Sequence, residues 1–214
     1  MSALIFVIQP EVVYLACDTL ALDSDTREPR SFTTKLYYLP HLGLVMCGTG
    51  LAKVILDWFV TMNSALLAKD MDHVDEFASA LLRGLYSKAI DEFGQGAGSV
   101  TIYHFGYSGQ FGQMIARIYR SERDFVPEHL TTGIGVKPAP KSGVCQPISI
   151  VPDDFISIIS ELAQEDAARP KSERVGVGGE VLFCELRHHQ TFLTTATRFE
   201  DWQETYGRMC MRLP

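Results

Sequence analysis

The feature that most constrains this chain is a pair of short, continuously apolar runs set on either side of a break. Residues 4–8 read Leu-Ile-Phe-Val-Ile, Gln9-Pro10-Glu11 interrupts them, and residues 12–17 resume with Val-Val-Tyr-Leu-Ala-Cys. A run this short, apolar at consecutive positions and rich in β-branched residues, is a strand buried on both faces. Two such runs across a polar break containing proline predict a hairpin. The arrangement recurs: residues 35–39 and 44–47 flank Pro40-His41-Leu42-Gly43, residues 99–105 and 113–119 are joined through 106–112, and residues 180–186 and 191–196 form a last pair. Hairpins are antiparallel, so a fold built from parallel βαβ units is excluded.

Elsewhere the period changes to that of a helix. Leu51, Ile55, Trp58, Phe59, Met62 and Leu66 share one face, with Lys53, Asp57, Thr61 and Ser64 opposite. A second helix opens at Asp70 or Asp72, carries a stripe from Val74 through Phe77, Leu81 and Leu85 to Phe93, and ends at Gly94. A third spans about residues 153–168, burying Phe155, Ile158, Ile159, Leu162 and Ala163 and stopping before Pro170. Residues 19–33 read as a polar loop. Residues 131–151 hold too much glycine and proline for a regular helix, and 198–214 read as a segment covering the edge of the fold or a neighbouring chain. Eight strands apolar on both faces and three helices bury their surfaces as an α+β, four-layer α-β-β-α sandwich of two antiparallel sheets. No linker or repeat divides the chain, so residues 1–214 are expected to form a single domain.

Composition narrows the functional classes. At 46% hydrophobic and 21% charged the chain has an ordinary globular mix. No apolar run approaches the ~20 residues of a membrane span, and residues 3–8 lack the basic flank of a signal peptide. A net charge of −7 argues against nucleic acid as a partner, since Glu122 and Asp124 offset the nearest cluster, Arg117, Arg120 and Arg123. The five cysteines are odd in number and form no CxxC, which points to a reduced, cytoplasmic protein. His188-His189 has no evident partner at metal-ligand spacing and reads as a solvated turn, so neither a metal nor a cofactor is expected.

Gly48-Thr49-Gly50-Leu51-Ala52-Lys53 lies between a strand and a helix. Lys53 occupies the third glycine position of a dinucleotide fingerprint, so the stretch is read instead as a turn whose N–H groups suit a developing oxyanion. Asp18 ends one buried strand and Lys35 opens another; such charges are costly to bury unless they pair. Ser2 is small enough for removal of Met1, and a free α-amine on serine titrates near ~7.7–8.0, where it can serve as a general base.

These residues carry a resemblance. Val12-Val13-Tyr14-Leu15-Ala16-Cys17-Asp18-Thr19, Thr34-Lys35-Leu36-Tyr37-Tyr38-Leu39 and Met46-Cys47-Gly48-Thr49-Gly50 are similar, in register, to motifs of proteasome-type subunits of the N-terminal nucleophile (Ntn) hydrolase superfamily, which includes bacterial HslV-like and Anbu-like members. Counting back from Asp18 places the nucleophile at Ser2. The resemblance implies that Ser2 attacks a peptide or other amide, that Lys35 tunes the amine, that Asp18 holds Lys35, and that the Gly48 N–H faces the oxyanion. Thr49, Gly50 and Lys53 would border the substrate pocket. It also implies homo-oligomers, including rings. Three positions depart from the family pattern: Ile134 replaces a supporting serine, and Arg174 and Val177 replace an aspartate and a serine before Gly178-Gly179. With those replacements, or with Met1 retained, the resemblance instead implies a catalytically silent assembly or binding subunit.

Overall fold

The computed structural model describes residues 3–23, 25–94, 98–141 and 148–211. The first apolar runs form β1 (Leu4–Gln9) and β2 (Val12–Asp18), paired antiparallel from Leu4↔Cys17 to Gln9↔Val12 across the Pro10-Glu11 turn. Residues 19–33, expected to be a loop, instead contain a two-stranded ribbon, β3 (Leu20–Leu22) and β4 (Pro29–Phe32). Both strands are short and only partly buried, which left no alternating signal in the sequence. β5 (Leu36–Leu39) and β6 (Leu44–Gly50) follow, then α1 (Ala52–Ser64) and α2 (Met71–Phe93). The Asp70 carboxylate caps α2 by accepting from the His73 N–H at 2.8 Å, and Gly94 ends it with φ +80°.

β7 (Val100–Ser108) and β8 (Gln113–Arg120) form the third hairpin, β9 (Glu128–Leu130) adds to β8, and β10 (Gly133–Lys137) returns to pair with β1. β10 was hidden by its glycines. Gly135 is required there, because a Cβ would lie 2.1 Å from the Phe6 ring. After α3 (Asp153–Ala167) come β11 (Glu180–Arg187) and β12 (Gln190–Arg198). The terminal segment contains a fourth helix, α4 (Trp202–Cys210), which lies on the ribbon with Trp202 stacked on Phe32 at 5.5 Å between centroids.

Two five-stranded antiparallel sheets result, β10-β1-β2-β11-β12 and β5-β6-β7-β8-β9. One apolar cluster joins Leu4, Phe6, Leu15 and Leu186 of the first sheet to Val45, Tyr103, Phe105 and Ile118 of the second. Alternate residues of the second sheet, among them Met46, Ile102 and Tyr119, pack against Val54, Trp58, Val74 and Leu82 of α1 and α2. The other face of the first sheet, including Ile5, Val7 and Phe183, packs on Phe155, Ile159 and Leu162 of α3. The buried stripe of α2 is narrower than the sequence suggested: Phe77, Leu81 and Phe93 are exposed. Among the described residues no helix is long and apolar enough to cross a membrane.

Candidate functional site

Asp18 ends β2 fully buried, flanked by Ala3 at the start of β1 and opposite Val181 of β11. Lys35 immediately precedes β5 and is 8% exposed. Its ammonium donates to both Asp18 oxygens at 2.9 Å and to the Leu20 carbonyl at 2.6 Å. The ammonium thus straddles one carboxylate and reaches one backbone carbonyl. The carboxylate also accepts from the N–H groups of Ala3 at 2.9 Å, Leu20 at 3.2 Å and Gly178 at 3.2 Å. Burial pushes the Asp18 carboxyl above its ordinary range, while the ammonium and the Ala3 and Gly178 N–H groups pull it back. The carboxylate thus ties four segments together: the start of β1, the ribbon, the strand opening at Lys35, and the glycine pair before β11.

That glycine pair is shaped by contact. Gly179 has φ +82°, and a Cβ there would lie 2.5 Å from the Thr19 hydroxyl, which accepts from the Glu180 N–H at 2.8 Å. The loop just upstream is organised by a residue that sequence reasoning missed. Asp166, buried near the end of α3, accepts from the N–H groups of Val175 at 2.7 Å, Gly176 at 2.8 Å and Val177 at 3.3 Å. No sequence signal marked it, because its partners are backbone groups beyond the helix. Arg174 turns back to α3, donating to the Arg169 carbonyl at 3.1 Å and the Ala167 carbonyl at 2.9 Å. Ile134 lies opposite Val7, well along β1 from its N-terminal end, and is 47% exposed.

Gly48 sits within β6 opposite Ile102, and the space a side chain would need is filled by Ile55 of α1, 2.7 Å from an ideal Cβ. The stretch Gly48–Gly50 therefore ends a strand rather than forming a separate turn. At Gly50, φ is +101° and a Cβ would lie 1.9 Å from the Ser99 carbonyl oxygen. Lys35, Gly48, Thr49 and Gly50 all border one cleft of about 640 Å³. Lys53 is not among its lining residues; its ammonium pairs with Asp57 one turn along α1, at 2.7 Å. Arg27 and Arg30 do line the cleft, beside Leu20, Leu22 and Tyr37, and no described lining residue is acidic. Both arginines fall in the segment the sequence presented as a loop. Ser2 lies outside the described residues.

The buried thiols do not add nucleophiles. Burial raises Cys17, Cys47 and Cys184, the last to about 12, so they stay protonated and pack as apolar groups. Cys145 lies outside the described residues. His188 is exposed but not isolated: its ring stacks on Tyr107 at 3.6 Å between centroids.

An antiparallel double-sheet architecture with a buried Asp–Lys pair beside the start of its first strand is a recognisable class of scaffold. The chain is similar across its whole length to two solved structures. One is Anbu (ancestral beta-subunit) from Yersinia bercovieri, with 12% identity, TM-score 0.61, and 100% of this chain and 98% of that one covered. The other is the helical assembly of the Anbu complex from Pseudomonas aeruginosa, with 13% identity, TM-score 0.61, and 100% and 97% covered. At such identities the likeness establishes a shared fold. No family model and no curated protein matches the sequence.

Proposed function

We propose that the chain is a proteasome-like Ntn hydrolase with a four-layer α-β-β-α arrangement in one domain, cleaving peptide or other amide bonds through an acyl-enzyme on Ser2 once Met1 is removed. The observation that carries this reading is the Asp18 carboxylate, which binds the Lys35 ammonium and the Ala3 N–H at 2.9 Å each. It thereby ties the residue next to Ser2 to the charge pair and to the cleft bordered by Gly48, Thr49 and Gly50. In the reaction, the α-amine of Ser2 accepts the hydroxyl proton as the oxygen attacks the carbonyl carbon. The Gly48 N–H stabilises the oxyanion, and the amine returns the proton to the departing nitrogen. Water then hydrolyses the ester. Arg27 and Arg30 favour substrates with an acidic side chain in the cleft. In this reading the protein acts in the cytoplasm without a cofactor and associates with copies of itself; the Anbu complex from Pseudomonas aeruginosa forms a helical assembly.

A specific observation favours a second reading, a catalytically silent assembly subunit. The Lys35 ammonium is already held by the Asp18 carboxylate and the Leu20 carbonyl, and Arg174 serves the end of α3. Intact-mass measurement of untagged protein, followed by labelling with a β-lactone, separates the two. The hydrolase reading expects loss of Met1 and an acyl adduct on Ser2 that Ser2→Ala abolishes. Retained Met1 leaves the silent subunit, and equal labelling of both proteins overturns the assignment of Ser2 as nucleophile.

A further inference from the structure

A second cavity, of about 300 Å³, opens between the sheets beside β9 and β10 and shares no lining residue with the Lys35 cleft. Phe6, Ile118 and Leu130 give it apolar walls. Lys137 lies opposite Leu4 in the β1–β10 ladder, hence on the same sheet face as Phe6 and Gly135, and is a lining residue together with Arg120. Among the described lining residues Glu128 is the one carboxylate, and it accepts from the Arg120 Nε at 2.9 Å. The lining therefore carries a net positive charge in a chain whose net charge is −7.

The informative group is Tyr103. It is 1% exposed and lines the cavity, and among the described residues its hydroxyl makes no hydrogen bond of good geometry. Burial raises its pKa to about 12, opposed by the charge of the Arg120 guanidinium and by its approach to the phenol oxygen, so the phenol keeps its proton and has it free to donate. A buried hydroxyl without a partner destabilises a fold, and phenylalanine would fill the same volume without that cost. A carboxylate oxygen in the cavity would accept from the Tyr103 hydroxyl.

We infer that this cavity binds a monocarboxylate with a small apolar body, its oxygens received by the Tyr103 hydroxyl and the Arg120 and Lys137 cations, and its hydrocarbon seated against Phe6, Ile118 and Leu130. A free organic acid and the C-terminus of a peptide ending in an apolar residue present the same chemistry. The inference does not depend on the hydrolase reading.

The test is an NMR titration of the full chain with phenylacetate, a free acid, N-acetyl-L-leucine, a miniature peptide C-terminus, and N-acetyl-L-leucinamide, which lacks the carboxylate. One or both acids are expected to bind, the tighter of the two indicating the source. The amide should bind about tenfold or more weaker, and Tyr103→Phe should weaken acid binding by a similar factor. Without ligand, Tyr103→Phe should raise Tm by about 2–4 °C, which also establishes that the variant folds. Lys137→Gln, at an exposed position, should weaken acid binding independently. Equal affinity for acid and amide, acid binding unchanged in both variants, or no response to either acid up to about 10 mM would overturn the inference.

Discussion

Asp18 and Lys35 are mutually dependent but unequally supported. Removing Asp18 leaves a buried ammonium with the Leu20 carbonyl as its remaining partner, whereas removing Lys35 leaves a carboxylate that still accepts from three backbone N–H groups. Asp18→Ala should therefore cost about 3–5 kcal/mol in urea denaturation, and Lys35→Met distinctly less. In the hydrolase reading Lys35→Met nonetheless abolishes labelling of Ser2. A second residue sets acid sensitivity. His104 is fully buried, accepts from the Trp58 Nε1–H at 2.8 Å, and is held neutral by burial and by the Arg117 guanidinium, with its pKa lowered to about 3. The unfolded chain takes up that proton near pH 6.5 and the native state does not, so stability is intact above about pH 6.5 and falls as pH drops toward 3. The loss from this residue is about 1.4 kcal/mol per pH unit within that window. His104→Gln should flatten the dependence by that amount between pH 6 and 4, as read from urea midpoints.

Among the elements, β10 shows how a strand can be specified by contact rather than by its own residues. Gly135 lies against the Phe6 ring, so Gly135→Ala should cost about 1–3 kcal/mol through overpacking. Phe6→Leu in the same chain should recover part of that loss, a coupling measured by a double-mutant cycle. The long helices and the major hairpins were legible because apolar periodicity is carried by neighbouring residues. The β3–β4 ribbon and β10 were not, since short, glycine- or proline-bearing strands owe their conformation to the partners they meet. The same holds for the site. Asp18, Lys35 and Gly48 were visible as charged or flexible residues at strand ends. Asp166 and the two cleft arginines were not, because their roles depend on loops folding back across the chain.

For the whole molecule, the outer surface of α1, α2 and the connection between them carries exposed apolar residues. Val60 is 57% exposed and Leu67 92% exposed, with Leu56, Phe77 and Leu81 also exposed. Phe59, on the apolar face of α1, packs on Tyr37 at 4.9 Å between centroids. If this surface joins copies of the chain, Val60→Asp with Leu67→Asp should lower the sedimentation coefficient while leaving Tm of the dissociated chain within about 2 °C, because neither side chain supports the core. Local pattern by itself determined the antiparallel hairpins, the first three helices and the two opposite charges at buried strand ends. Tertiary structure alone decided that those charges meet, that Asp166 rather than Arg174 organises the loop before the glycine pair, and that a phenol is buried beside a cavity between the sheets. Periodicity records what each residue does to its neighbours in the chain, whereas desolvation and hydrogen-bond satisfaction are settled among residues that only the fold brings together.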